Sequence, residues 1–159
     1  MKNRELLGLH RTLISLEGRK STVKFSYFIA KNKVMIKDEC NILEETGKPS
    51  EKFSEYDGKR AKLANEFADK DEKKQPKIEN GNFVIIEKVD KFKKELDKLK
   101  KEYETVIKEQ DKKFKEFNAL LDEEIEYKPG PKIALQDIPE QIEPAVLEIL
   151  IIADLIIDE

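Results

Sequence analysis

Apolar residues recur along most of this chain at the three-to-four spacing of an α-helix, and the spacing fails at a few places rich in glycine, proline or asparagine. From Lys2 to about Leu16, the positions Leu6, Leu9 or His10, Leu13 and Leu16 form one stripe, which predicts a short amphipathic helix. Gly18 interrupts it. Ser21 or Thr22 then offers a cap for a helix over 22–46, in which Phe25, Phe28, Ile29, Asn32, Ile36, Glu39 and Leu43 share a face up to Gly47. Asn32 and Glu39 are polar members of that stripe. Such residues can specify register, pair across an interface or lie at the stripe's margin, and the margin is the expectation for both.

The next break is "TGKPSEKF", where Gly47 can end a helix, Pro49 disfavours helix at Lys48 and Ser50 can cap a restart. The positions Phe53, Tyr56 or Asp57, Arg60, Leu63 and Phe67 predict a third helix to about Asp69, weakened by Gly58 in its interior. Pro76 closes the helical register. Ile78 on one side and Phe83 and Ile85 on the other flank "ENGN", whose Asn-Gly pair suits a primed turn, so residues 77–80 and 82–86 read as a β-hairpin that must rest on something. The clearest stripe follows: Val89, Phe92, Leu96, Leu99, Tyr103 and Val106, then Gln110, Phe114, Phe117 and Leu121 after two successive steps of four, a stutter. Acid-first i, i+4 pairs such as Asp90/Lys94, Asp97/Lys101 and Glu104/Lys108 support one helix over 88–121, about 45 Å long at 1.5 Å per residue.

Past Asp122 two short extended pieces, 124–127 and 132–135, flank the turn Pro129-Gly130-Pro131, and Pro144 suits the first turn of a last helix. That final segment, "AVLEILIIADLIIDE", is apolar nearly all round, which predicts burial on more than one side. The expected fold is mainly α with minor β: an antiparallel long-helix hairpin, with helices of 22–70 going up, the β-hairpin at the turn and 88–121 coming down. It is read as a single domain, 1–159, with basic N-terminal helices (1–46), the hairpin (50–121) and an acidic then apolar C-terminal segment (122–159).

Composition sharpens this picture. Charged residues make up 41% and hydrophobic ones 38%, with six Gly, six Pro and no Trp, a balance that suits long solvated helices. Cys40 and His10 are the single cysteine and histidine, so no disulfide or CxxC pair exists; Cys40 reads as a small buried hydrophobe and His10 as the edge of a core stripe. The apolar tail is shorter than a bilayer span and carries Glu148 and Asp154, so no membrane is expected. Charge is strongly separated. Residues 1–37 hold nine cations against two acids, and residues 116–159 hold two cations against twelve acids, so the ends either pair with each other or present a basic ligand surface.

No phosphate-binding glycine loop, HExxH, GxSxG or EF-hand pattern is present, and "DEEIE" at 122–126 alternates its acids along an extended piece, so no cofactor, metal site or catalytic residue is assigned. The lysines of 88–116 are neutralised by neighbouring acids, which argues against a nucleic-acid ladder. The remaining candidate is an anion site of Arg11, Arg19, Lys20, Lys24, Tyr27 and Lys31, where cations beside an aromatic ring and a helix N-terminus can hold a phosphate. Self-association is assigned to Leu147, Leu150, Ile151, Leu155 and Ile156 of the tail.

At "VKFSYFIAKN" (23–32), "EYETVIKEQDKKFKEFNALLDEEIE" (102–126) and "DIPEQI" (137–142) the chain resembles a family of small, uncharacterised proteins of tailed bacteriophages, over most of its length. The resemblance implies a viral origin and the cytoplasm of an infected bacterial host, and supplies no activity or site residues. The functional expectation is a homo-oligomeric, non-enzymatic accessory protein that binds and sequesters or blocks a host factor. Its most specific form is an antagonist of anti-phage defence, directed at a defence protein or a small anionic nucleotide. The alternative is a structural or assembly protein of the virion.

Overall fold

The computed structural model describes residues 1–157. It is mainly helical, with minor β: α1 (Asn3–Leu16), α2 (Val23–Gly47), α3 (Glu51–Phe67), β1 (Ile78–Glu79), β2 (Asn82–Phe83), α4 (Val89–Glu102), α5 (Glu104–Asp122), β3 (Ile133–Ala134), α6 (Pro144–Ile152) and β4 (Ile156–Ile157). The chain gathers into two compact units, Met1–Lys48 with Glu116–Glu159, and Pro49–Lys115.

The first unit holds the hydrophobic core. Leu6, Leu9 and Leu13 of α1 meet Phe25, Phe28, Ile29, Ile36, Cys40 and Leu43 of α2, and Ile133, Val146, Leu150, Ala153 and Leu155 close the cluster. Thr22 starts α2 by accepting the Phe25 N–H at 3.2 Å. The N-terminus is held against the end of α5: Asn3 donates its backbone N–H to the Glu123 carbonyl (3.1 Å) and its side-chain amide to the Leu120 carbonyl (2.8 Å).

Asn32 corrects the expectation for polar stripe positions. Glu39 is exposed, but Asn32 is 2% exposed, and its amide donates to the carbonyls of Phe28 and of Pro131, both at 3.0 Å. It therefore pairs across an interface with the Pro-Gly-Pro turn. Gly130 sits so close to α2 that a Cβ there would meet Met35 Sδ at 2.9 Å. The turn passes α2 because it has no side chain at that point.

The apolar tail departs from the expected helix. Helix α6 ends at Ile152, Asp154 adopts a left-handed φ of 53°, and the chain turns so that β4 pairs in parallel with β3, Ile133 opposite Ile156. Lys132 holds that turn through an ion pair to Asp154 at 2.5 Å. Leu150 and Leu155 are fully buried within the chain's own core, which removes them from the self-association set; Leu147 and Ile156 are half-buried and Ile151 is exposed. A short chain with few core residues recruits its greasiest segment inward before offering it to a partner.

The second unit is an antiparallel helical hairpin. Tyr56, early in α3, meets Tyr103 beyond the end of α4 in a tilted pair, with ring centroids 5.6 Å apart, while Phe67, late in α3, meets Phe92, early in α4, at 6.0 Å. Helix α2, expected to run up with α3, belongs to the first unit, where its apolar face is covered by α1. Asn80 (φ 49°) and Gly81 (φ 79°) make the primed turn between β1 and β2, with Ile78 opposite Phe83. The strands are shorter than expected, and polar bonds anchor the hairpin: Asp69 accepts the Ile86 N–H at 2.8 Å on its carboxylate and the Lys77 N–H at 2.7 Å on its carbonyl.

The expected single helix over 88–121 breaks at Tyr103, where φ is −104° and ψ is 16°. The buried tyrosine hydroxyl donates to Glu55 at 2.7 Å and accepts from Lys59 at 2.5 Å, so the backbone bends where this ring is held by α3. Beyond the break the stripe rotates: Phe114 is exposed, and the Phe117 ring lies where a Cβ on Gly47 would approach it to 2.7 Å.

Candidate functional site

The loop from Glu17 to Thr22 joins α1 to α2, turning through Gly18 at a φ of +79°, a conformation a side chain would strain. It projects Arg19 and Lys20. Across from them runs the segment Pro139–Ile142, closed by a bond from the Ile142 N–H to the Pro139 carbonyl at 3.3 Å and leading to Pro144 at the first turn of α6. Between loop and segment is a cleft of about 680 Å³, lined by Arg19, Lys20, Phe25, Pro139, Glu140, Gln141 and Ile142. Its size is that of ligand-binding clefts in general.

The six anion-site candidates are not brought together. Arg19 and Lys20 line the cleft, whereas Lys24 forms an ion pair with Asp137, and Arg11, Tyr27 and Lys31 are exposed and do not line it. Arg19 also reaches Glu143 at 3.3 Å and donates to the Ser15 carbonyl at 3.4 Å. The basic and acidic ends of the chain thus neutralise each other within one unit: Arg4 pairs with Asp122 at 2.8 Å and Lys2 approaches the same carboxylate at 3.7 Å, while Lys33 pairs locally with Glu17 of the basic region itself. Arg11, Lys20, Lys31 and Lys37 have no ion-pair partner among the described residues.

The lining offers two cations, an acid, a carboxamide and an apolar floor, which is chemistry for ionic and hydrogen-bonded recognition. The wall 139–142 escaped the sequence reading of the site. Its signal was the pair of prolines at 139 and 144 bracketing a short polar run, a loop held on a fixed scaffold.

Cys40 and His10 do not form a dyad. The Cys40 thiol points at the Leu6 carbonyl, 3.8 Å away, and burial, with Glu44 and Glu39 nearby, pushes its pKa up to about 11. His10 is buried and its Nδ1 has no hydrogen-bond partner. Among the described residues no three His, Cys, Asp or Glu side chains gather as a metal site requires, and no helix is long and apolar enough to cross a membrane.

The second unit carries a polar cluster of its own. Lys59 is held protonated beyond the usual lysine range by its bond to the Tyr103 hydroxyl and then by Glu55, and its ammonium lies 4.9 Å from the Tyr103 ring centroid. The Glu55 carboxyl is correspondingly held below the usual range by Tyr103 and Lys59. These groups satisfy one another. They fasten α3 to the junction of α4 and α5.

No protein-family model, curated protein or solved structure matches this chain.

Proposed function

We propose that this chain is a non-enzymatic bacteriophage accessory protein that acts in the cytoplasm of the infected cell, where its cleft binds and blocks a protein of the host's anti-phage defence. The supporting observation is the charge balance of the cleft. A nucleotide with several phosphates needs a net positive cradle, but Arg19 and Lys20 face Glu140 in the lining and Glu143 at 3.3 Å from Arg19. The unit that carries the cleft holds twelve Lys and Arg against eighteen Asp and Glu. A polypeptide segment bearing both signs matches such a lining better than a polyanion does. The stretch "DIPEQI", one of those that resemble phage proteins, also supplies the cleft wall 139–142.

The test is expression of the chain in bacteria that each carry one defined defence system, with plating efficiency of a restricted phage as the readout. Restored plating against at least one system is expected, together with its loss in a Lys20→Glu, Gln141→Ala double variant whose thermal melt is unchanged. Unrestored plating across the panel, or equal rescue by the double variant, rejects the reading. Calorimetric titration with cyclic and linear nucleotides at about 100 μM is expected to give no heat, and saturable binding there would return the site to a nucleotide.

A further inference from the structure

Two helix faces of the first unit are apolar and bare. Along α2, Val23, Tyr27, Ala30 and Val34 recur at steps of four, three and four, so they form one stripe about 16 Å long, and Val23 and Val34 are 87% and 65% exposed. On α6, Pro144, Ala145, Glu148, Ile151 and Ile152 lie on one side, opposite the buried Val146 and Leu150, and Ile151 and Ile152 are 57% and 59% exposed. The α6 face is about 12 Å long, commensurate with the α2 stripe.

Their charges are opposite. Lys31 stands four residues from Tyr27 and three from Val34, and Lys37 three from Val34, neither with an ion-pair partner among the described residues; Asp38, four residues from Val34, is the one acid beside them, so the stripe's border stays net positive. Glu148 sits in the middle of the α6 face and likewise has none among them. A lysine beside one bare apolar stripe and a glutamate within another are mutually complementary, whereas either face laid on its own copy would bring like charges together.

We infer that a second copy of this chain is the occupant, docking the outward face of α6 onto the α2 stripe through Ile151 and Ile152, with Glu148 beside Lys31. Such a contact is heterologous. Each copy keeps one free face of each kind, so assembly continues to a ring or an open chain of subunits. Two short helix faces make a small interface, so association depends on concentration.

Sedimentation velocity of the full chain from about 1 μM to about 1 mM reads this directly, a range set by the affinity of a small interface. A weight-average mass that rises with concentration and falls back in high salt is expected, as is its loss in Val34→Glu and in Ile152→Glu. The charge reversals Lys31→Glu and Glu148→Lys are each expected to stay monomeric alone and to associate when mixed, because mixing restores both contacts. Position is read separately: Val34→Cys and Ile152→Cys proteins, mixed under mild oxidation, are expected to give a mixed dimer on a non-reducing gel, with buried Cys40 silent. A monomer across the whole range overturns the inference. So does an association that survives both Val34→Glu and Lys31→Glu, which would place the contact elsewhere or make it α6 on α6.

Discussion

The amide nitrogen of Asn32 donates twice, to the Phe28 carbonyl of its own helix and to the Pro131 carbonyl 99 residues away. The first bond is buried and the second partly so, and a carboxamide supplies the two donors they need. Asn32→Leu keeps the number and branching of the side-chain heavy atoms and removes both donors, leaving the Pro131 carbonyl facing an apolar side chain. The expected loss is about 1–3 kcal/mol, seen as a lower urea midpoint with an unchanged slope. Asn32→Asp should cost more, since a carboxylate would aim acceptors at two carbonyls. Helical spacing placed this residue among core positions, and the margin reading failed because spacing does not reveal what the facing segment requires. Here the facing segment is a proline-rich turn, poor in donors of its own.

Where an element begins and turns depends on neighbouring residues, and those signals were legible: Thr22 and Ser50 accept the N–H groups of Phe25 and Phe53, and Asn80-Gly81 makes the primed turn. The break at Tyr103 was not, because it follows from a ring and hydroxyl captured by α3, which the spacing of a single helix over 88–121 does not reveal. Glycines within helices divide the same way. Gly58 lies on an exposed part of α3, where an added methyl would have nothing within 4 Å, whereas a methyl on Gly47 would meet the Phe117 ring at 2.7 Å. Gly58→Ala is therefore expected to stabilise by about 0.5–1 kcal/mol through helix propensity. Gly47→Ala should destabilise, as the aromatic ring must give way. Thermal melts of the two variants beside the parent check the opposite signs.

Across the whole molecule, charge separation was legible and its outcome was not. Lys2 and Arg4 with Asp122, Arg19 with Glu143, and Lys24 with Asp137 join segments more than a hundred residues apart, and exposed pairs of this kind select an arrangement more than they stabilise it. The pairing of β3 with β4 and the inward turn of Leu155 also depend on contacts beyond the local sequence, which is why the tail reads from sequence as a lone helix. The division into two units has a consequence for stability. The core cluster lies wholly in the first unit, while the buried apolar residues of the second, among those described, are Tyr56, Ala68 and Tyr103. The second unit is in effect an insertion, since the chain leaves the first unit at Lys48 and re-enters at Glu116, and Gly47 lies against the ring of Phe117. A flexible linker of about four to six residues should bridge so short a gap. Joining 1–48 to 116–159 in this way is expected to give a protein that melts cooperatively and shows dispersed amide NMR signals. Residues 49–115 alone are expected to lack a cooperative melt, with so little surface removed from water. An unfolded shortened chain would mean that the core in which α1, α2 and α6 meet depends on the inserted hairpin.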